Sequence, residues 1–249
     1  MRWQCSDTVY LYDGTFEGFL TCVFESFKRK EMPADILSEK ARQQSLLEQY
    51  KTDTDFAKAA RVKKAIKEKI GLEAYDMTRD MMFTCLDGKE KLTLEFLKLG
   101  FEQGRKTVKL LDNDIVDKVT KAVLYLSRES MFFKEFIRFS VHNGLLIAKI
   151  KPNNFVLPYI APHFIDRFYN EQFAIYDESN SALCMYAKNK CVISEVENLV
   201  MPEPDKIELA YRKLWKMHYD NAAVEGRENP KCRMTHMPKR YWSNLTEFQ

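Results

Sequence analysis

Long hydrophobic runs are missing from this sequence. No stretch approaches the roughly 20 apolar residues that cross a bilayer, and the residues after Arg2 do not continue into the apolar core of a secretory signal. A soluble, intracellular chain is therefore expected, cytoplasmic and with no membrane partner. Glycine is scarce too, with eight in 249 residues. No G-x-G-x-x-G, G-x-S-x-G or H-E-x-x-H occurs, and Gly88-Lys89 lacks both the leading glycine and the Ser/Thr of a P-loop. A glycine-rich phosphate cradle and ATP chemistry thus have no support. The six cysteines, Cys5, Cys22, Cys85, Cys184, Cys191 and Cys232, contain no C-x-x-C pair and no closely placed histidine. Metal ligands normally cluster at short spacing, so no metal is expected, and no motif asks for a cofactor. Buried free thiols are the favoured reading, although Cys184 and Cys191 flank a turn and could still meet in space. Charge of one sign is also lacking: the net of +3 identifies no partner, and any nucleic-acid signal must come from local clustering.

What is present is enough apolar sequence, 45% of the chain, for one large domain or two small ones. Thr8 to Tyr12 reads as a short strand, followed by a helix capped by Asp13 or Thr15 with Phe16, Phe19, Leu20, Val23, Phe24 and Phe27 on one stripe. Met32-Pro33 stops it. From Thr54 to about Leu145 the pattern is mainly helical. Ala59, Val62, Ile66 and Ile70 form a stripe closed by Gly71; further helices cover Glu73 to Leu86 and about Leu92 to Gln103. A long one runs from near Asn113 towards Phe136. Then Ile137 to Val141 and Leu145 to Ile150 flank His142-Asn143-Gly144, a strong hairpin signal. Pro152 and Pro158 bracket a loop, Pro162 to Tyr169 forms a short helix, and Phe173 to Asp177, Ala182 to Ala187 and Cys191 to Val196 add strands. Pro202 and Pro204 mark a linker, and Asp205 caps a final helix carrying Ile207, Tyr211, Leu214, Trp215 and His218 or Tyr219 at helical spacing. The tail from Glu225 reads as loop, with a last short helix from Pro238. The class is α+β, with a helical N-terminal and middle portion. A small, mainly antiparallel sheet over about 137–196 follows, then a C-terminal helix and a basic tail.

Two segments concentrate positive charge. The helix from Lys58 to Lys69 has six basic residues against Glu68, with Lys63, Lys64 and Lys67 on the face opposite the apolar stripe. Such a face could follow phosphates; a solvated outer face explains it more simply. The sixteen residues from Arg227 to Trp242 hold five Lys/Arg (Arg227, Lys231, Arg233, Lys239, Arg240), His236, two aromatics and two prolines. Arginine forks bind phosphate bidentately, and Tyr241 or Trp242 could stack on an exposed base. Alternatively Tyr241, Trp242, Leu245 and Phe248 dock the tail onto the core and leave the bases exposed. His163 and Arg167, four apart, share a helix face that could hold a phosphate. His163, Asp177 and His236 are the candidate acid–base groups, against a hydrogen-bonded core histidine and a turn-forming aspartate. Asp13 and Glu17 are explained by capping and the helix dipole.

Certain strings carry a resemblance. They are Tyr12-Asp13-Gly14-Thr15-Phe16-Glu17-Gly18-Phe19-Leu20, Phe136-Ile137-Arg138-Phe139, Leu157-Pro158, Pro162-His163-Phe164 with Arg167, and Ile175-Tyr176-Asp177. Arg227, Asn229-Pro230, Met237 to Trp242 and Leu245 to Phe248 complete the set. Together they resemble a bacterial DNA metabolism and DNA repair protein family, itself a domain of unknown function. The resemblance spans essentially the whole of 1–249 as one family domain, with sub-parts 1–135 mainly helical, 136–200 the antiparallel sheet, and 203–249 the helix and basic-aromatic tail. It implies a genomic setting: members are encoded beside a radical-SAM protein of DNA modification or repair, and some relatives are fused to a uracil-DNA glycosylase-type domain. The implied partners are DNA, the radical-SAM protein and a glycosylase-type protein; no catalytic residue carries over.

Three functions follow in order. The first is a non-catalytic DNA-binding accessory subunit that uses the tail, Arg167 and the Lys63, Lys64 and Lys67 face. The second is an enzyme acting on DNA through His163, Asp177 and His236, which requires the three to converge in one pocket. The third is a protein-interaction adaptor, which requires an exposed apolar patch.

Overall fold

A computed structural model of the chain describes residues 3–39, 47–197, 199, 206–222 and 229–248. Two compact units divide it, residues 1–126 and 127–249. The fold class is α+β.

In the first unit, strand β1 (Gln4–Cys5) precedes β2 (Val9–Tyr12), whose four residues are all buried. Helix α1 (Phe16–Arg29) follows, then β3 (Glu31–Met32), β4 (Asp35–Ser38) and β5 (Gln49–Lys51). β2 lies between β4 and β5 and runs parallel to both, while β1 pairs with β3. The three-stranded parallel sheet corrects the expectation of a single strand before continuous helix. Parallel pairing is non-local, and two short strands with no turn chemistry between them leave little periodic signal. Thr15 caps α1 by accepting from the Gly18 N–H at 3.0 Å, and Asp13 accepts from the Thr15 N–H, the Thr15 hydroxyl and the Thr54 hydroxyl. A Cβ at position 18 would sit 2.3 Å from Asp13 Oδ1, so this cap requires glycine.

Helix α2 (Phe56–Ala65), capped by Asp55, passes into a π-helical turn (Ile66–Ile70) that ends at Gly71 with φ +124°. Ala59, Val62, Ile66 and Ile70 are all buried, as their spacing predicts. Helices α3 (Leu72–Met81) and α4 (Lys89–Gln103) follow; α3 is shorter than the predicted 73–86, and α4 ends at Gly104 with φ +67°. Helix α5 (Asp114–Phe136) opens where Asn113 accepts from the Ile115 N–H at 3.0 Å. Its Val116 and Val119 join the first unit's core with Tyr10, Phe19, Leu20, Phe96 and Leu97.

The second unit begins inside α5, at Ser127. Strands β6 (Ser140–His142) and β7 (Leu145–Ile150) form the expected hairpin, with positive φ at Asn143 and Gly144. Helix α6 (Leu157–Arg167) starts five residues earlier than expected. Pro158 sits in its first turn, where its missing N–H costs nothing, and Pro162 lies inside it. Strands β8 (Gln172–Asp177), β9 (Ala182–Ala187) and β10 (Lys190–Glu195) complete a five-stranded sheet of order β10-β9-β8-β7-β6, antiparallel except for β7 with β8. Phe139, Phe164, Phe168 and Phe173 meet edge to face or stacked beneath it.

Helix α7 (Lys206–Ala222) buries none of its residues, contrary to what its apolar spacing suggests. The tail from 229 is helical rather than looped: Asn229 accepts from the Cys232 N–H at 3.0 Å and caps α8 (Pro230–His236). Short 3-10 turns occupy Lys239–Asn244, close to the expected start at Pro238, and Thr246–Phe248. The Pro202–Pro204 linker and the Asp205 cap lie outside the described residues. No helix among the described residues is long and apolar enough to cross a membrane.

Candidate nucleic-acid interface

The tail docks through one aromatic side chain. Tyr241 is 3% exposed, its ring 5.1–5.7 Å from those of Phe132, Phe133 and Phe136, the three aromatics near the end of α5. With its faces covered it cannot stack on a base, which corrects that candidate. Leu245, four residues on, is also buried. Arg240 is committed as well: its guanidinium pairs with Glu129, whose side chain is fully buried on α5. Glu129 also accepts from the Asn153 N–H at 2.9 Å, the Asn154 N–H at 2.8 Å and the Asn154 amide at 2.6 Å. This is a satisfied buried carboxylate that pins tail to core. The bases that remain displayed are Lys231, Arg233, His236 and Lys239, all exposed. Arg233 and Lys239 lie over the Trp242 ring at 5.6 and 5.8 Å, Trp242 stacks on Phe248 at 4.4 Å, and its indole donates to the Met237 carbonyl. Arg227 lies outside the described residues.

The cations of the first unit are largely occupied. Lys63 pairs with Glu17 at 2.6 Å, Lys67 sits 4.1 Å over the Tyr75 ring, and Lys64 faces Glu68 at 3.7 Å. The last pair is well exposed and worth little, so of the three only Lys64 presents a charge with no strong internal use.

His163, Asp177 and His236 do not converge. His163 packs edge to face on its neighbour Phe164, and His236 is exposed on α8. Asp177 is wholly buried at the end of β8, where its carboxylate accepts from the Asn180 N–H at 3.1 Å and the Asn180 amide at 2.7 Å. That is the turn-forming role. Burial pushes the Asp177 carboxyl up to about 6, opposed by the Asn180 and Ser179 donors and reinforced by the Glu129 charge. A folded-state value above the ordinary one near 4 means the ionised form is penalised, so this group's contribution to stability is greatest below pH 4 and is lost as pH rises through 6. Asp177→Asn should therefore gain on the wild type between pH 4 and pH 8, by about 2–3 kcal/mol in urea unfolding. A stability difference that stays constant across that range would show that the carboxylate is not penalised.

A cleft of ≈ 480 Å³ opens in the second unit instead. Lys134, Glu135, Ile137, Arg138 and Phe139 supply one wall from the end of α5 and the link after it. Leu146 of β7, Phe164, Arg167 and Phe168 at the end of α6, and Trp215 of α7 complete it. Three cations face one carboxylate. Two helix C-termini also open here, each equivalent to roughly half a negative charge, and Arg138 donates to the carbonyls of Glu135 and Ile137. Capping thus uses part of the charge and leaves a net of about +1. None of Lys134, Arg138 and Arg167 pairs with a carboxylate among the described residues, and Arg167 lies 5.8 Å over the Phe168 ring. The site can accept an anionic group beside an aromatic wall. Of the sequence candidates only Arg167 lines it. Arg138 stood within the Phe136–Phe139 string and Trp215 within the α7 stripe, but no spacing rule joins them to Lys134.

Helix α7 links cleft and tail. The Trp215 indole donates to Glu247 at 3.0 Å, and one turn on, Tyr219 meets Arg233 at 3.4 Å and the Phe248 ring at 5.8 Å. Arg212 anchors the helix to Ser140 of β6. Trp215 is left 46% exposed.

The model of a domain of unknown function, DUF4130, matches residues 87–247, a span that includes every residue of the cleft and the docked tail up to Glu247. The chain belongs to the DUF4130 family. The match leaves residues 1–86, with the Tyr12–Leu20 string, outside the DUF4130 region. Neither the curated proteins nor the solved structures yield a match. Among the described residues, no group of three or more His, Cys, Asp or Glu is placed to hold a metal ion.

Proposed function

We propose that this DUF4130 protein is a DNA-binding accessory subunit of DNA metabolism or repair. It would hold single-stranded or distorted DNA while a radical-SAM partner supplies the chemistry. The observation that carries this reading is the cleft, where Lys134, Arg138 and Arg167 stand beside the exposed Trp215. Cations give salt-sensitive phosphate affinity. An exposed indole offers a face on which any base can stack, typical of single-strand contacts. Arg233, which meets Tyr219 of α7, and Lys239, over the Trp242 ring, add further exposed cations on the tail. Fluorescence anisotropy of a labelled single-stranded oligonucleotide tests it. Binding should be present at low salt and weaken at physiological salt, and Trp215→Ala should reduce affinity roughly tenfold. Absence of binding at low salt, with or without the partner, overturns the reading.

A protein-interaction adaptor is the second reading, favoured by the exposed Ile207, Tyr211 and Leu214 of α7. Under it, Ile207→Asp/Leu214→Asp abolishes association with the radical-SAM partner while oligonucleotide binding is absent from the outset.

A further inference from the structure

Across the last two strands of the sheet, the sulfurs of Cys184 and Cys191 lie 3.5 Å apart. In the β9–β10 register Cys184 stands opposite Ile193 and Cys191 opposite Tyr186. The two cysteines are therefore diagonal neighbours, and the period-two alternation of strands puts them on the same face. Their environments differ. Cys184 is fully buried, whereas Cys191 is exposed on β10, the edge strand, which is hydrogen-bonded on one side only. One thiol can thus be reached from solvent, and the other can be reached only through the first.

We propose that Cys184 and Cys191 form a reactive dithiol that exchanges with small-molecule disulfides and closes reversibly into a cross-strand disulfide. Cys191 Sγ, as thiolate, attacks one sulfur of the small disulfide. That S–S bond breaks and the first small thiol leaves, taking up a proton. Cys184 Sγ then gives up its proton and attacks Cys191 Sγ, breaking the mixed disulfide and releasing the second small thiol. Two protein thiols are oxidised and one small disulfide is reduced to two thiols, so no further oxidant is needed. Burial, with Cys191 adding to it, pushes the Cys184 thiol up to about 12. Cys184 therefore favours the thiol form, and since only Cys191 is exposed, Cys191 meets the small disulfide first; the proton Cys184 gives up in the second step passes to the leaving small thiolate. The sulfurs must approach from 3.5 Å to bonding distance, about 2 Å, and the singly bonded edge strand is the element able to yield.

The test uses the full chain with the other exposed cysteines, Cys5, Cys85 and Cys232, replaced by serine, incubated with oxidised glutathione and read by intact mass and peptide mapping. The expected product carries no glutathione, is lighter by two hydrogen atoms and links the Cys184 and Cys191 peptides; dithiothreitol reverses it. Adding Cys184→Ser should trap a glutathione adduct on Cys191, and adding Cys191→Ser should leave Cys184 unmodified. A stable adduct on Cys191 with Cys184 intact, or no reaction at Cys191, overturns the proposal. If Cys184→Ser fails to fold, the mass of the chain retaining both cysteines still decides.

Discussion

Replacing Glu129 by alanine should destabilise the second unit by about 4 kcal/mol, the largest single effect expected in the protein. The side chain is fully buried, and its two oxygens accept from the Asn153 N–H, the Asn154 N–H, the Asn154 amide and Arg240. Alanine removes the carboxylate from all four donors at once and leaves a void beside them. Arg240→Ala should cost less, about 2 kcal/mol, because Arg240 is 35% exposed and three of the donors still hold Glu129. This ranking separates two roles for the tail. If Arg240 served mainly as a phosphate contact, its loss would change DNA affinity and leave stability untouched; as a tether it should do the reverse. Urea unfolding of the two variants beside the wild type checks the order, and equal or negligible losses would mean that Glu129 does not anchor the tail.

Local chemistry made much of the fold legible. The Ala59–Ile70 stripe with Gly71, the Gly104 stop, the Asn113 cap and the Asn143-Gly144 hairpin each rest on a few adjacent residues, and each stands where the sequence puts it. What was not legible depends on distant pairing. β4 and β5 are four and three residues long and gain their identity only by flanking β2. Proline misled at both ends of the second unit. Pro158 and Pro230 read as loop residues yet sit in the first turns of α6 and α8, where a missing N–H is harmless. The α7 stripe reads as a buried face, but periodicity reports amphipathicity and not whether a partner covers it.

The candidate cleft draws on residues that the sequence reading largely did not single out. Dense positive charge in the tail drew attention to Arg240 and Tyr241, and these are the two residues that packing consumes, one against Glu129 and one among three phenylalanines. Lys134, Arg138 and Trp215 were unremarkable in one dimension because they come from the end of α5, the link after it and α7, some eighty residues further on. Only Arg167 belonged to both readings. Tail and cleft share cations in the company of aromatics, but they draw on different residues.

The second large effect concerns the cleft. In Lys134→Ala/Arg138→Ala/Arg167→Ala, single-strand affinity at low salt should fall roughly tenfold or more, because the cleft's whole complement of cations is removed. Each replaced side chain is half-buried or exposed, so the fold should tolerate the change, and circular dichroism serves as the control. The most direct measurement is the slope of log affinity against log salt for this variant beside the wild type. The slope should become shallower by about 0.7 to 1.4, one or two fewer phosphates neutralised at roughly 0.7 each for single strands with one position discounted for helix capping. An unchanged slope and affinity in a folded variant would contradict the assignment of the cleft as the nucleic-acid site.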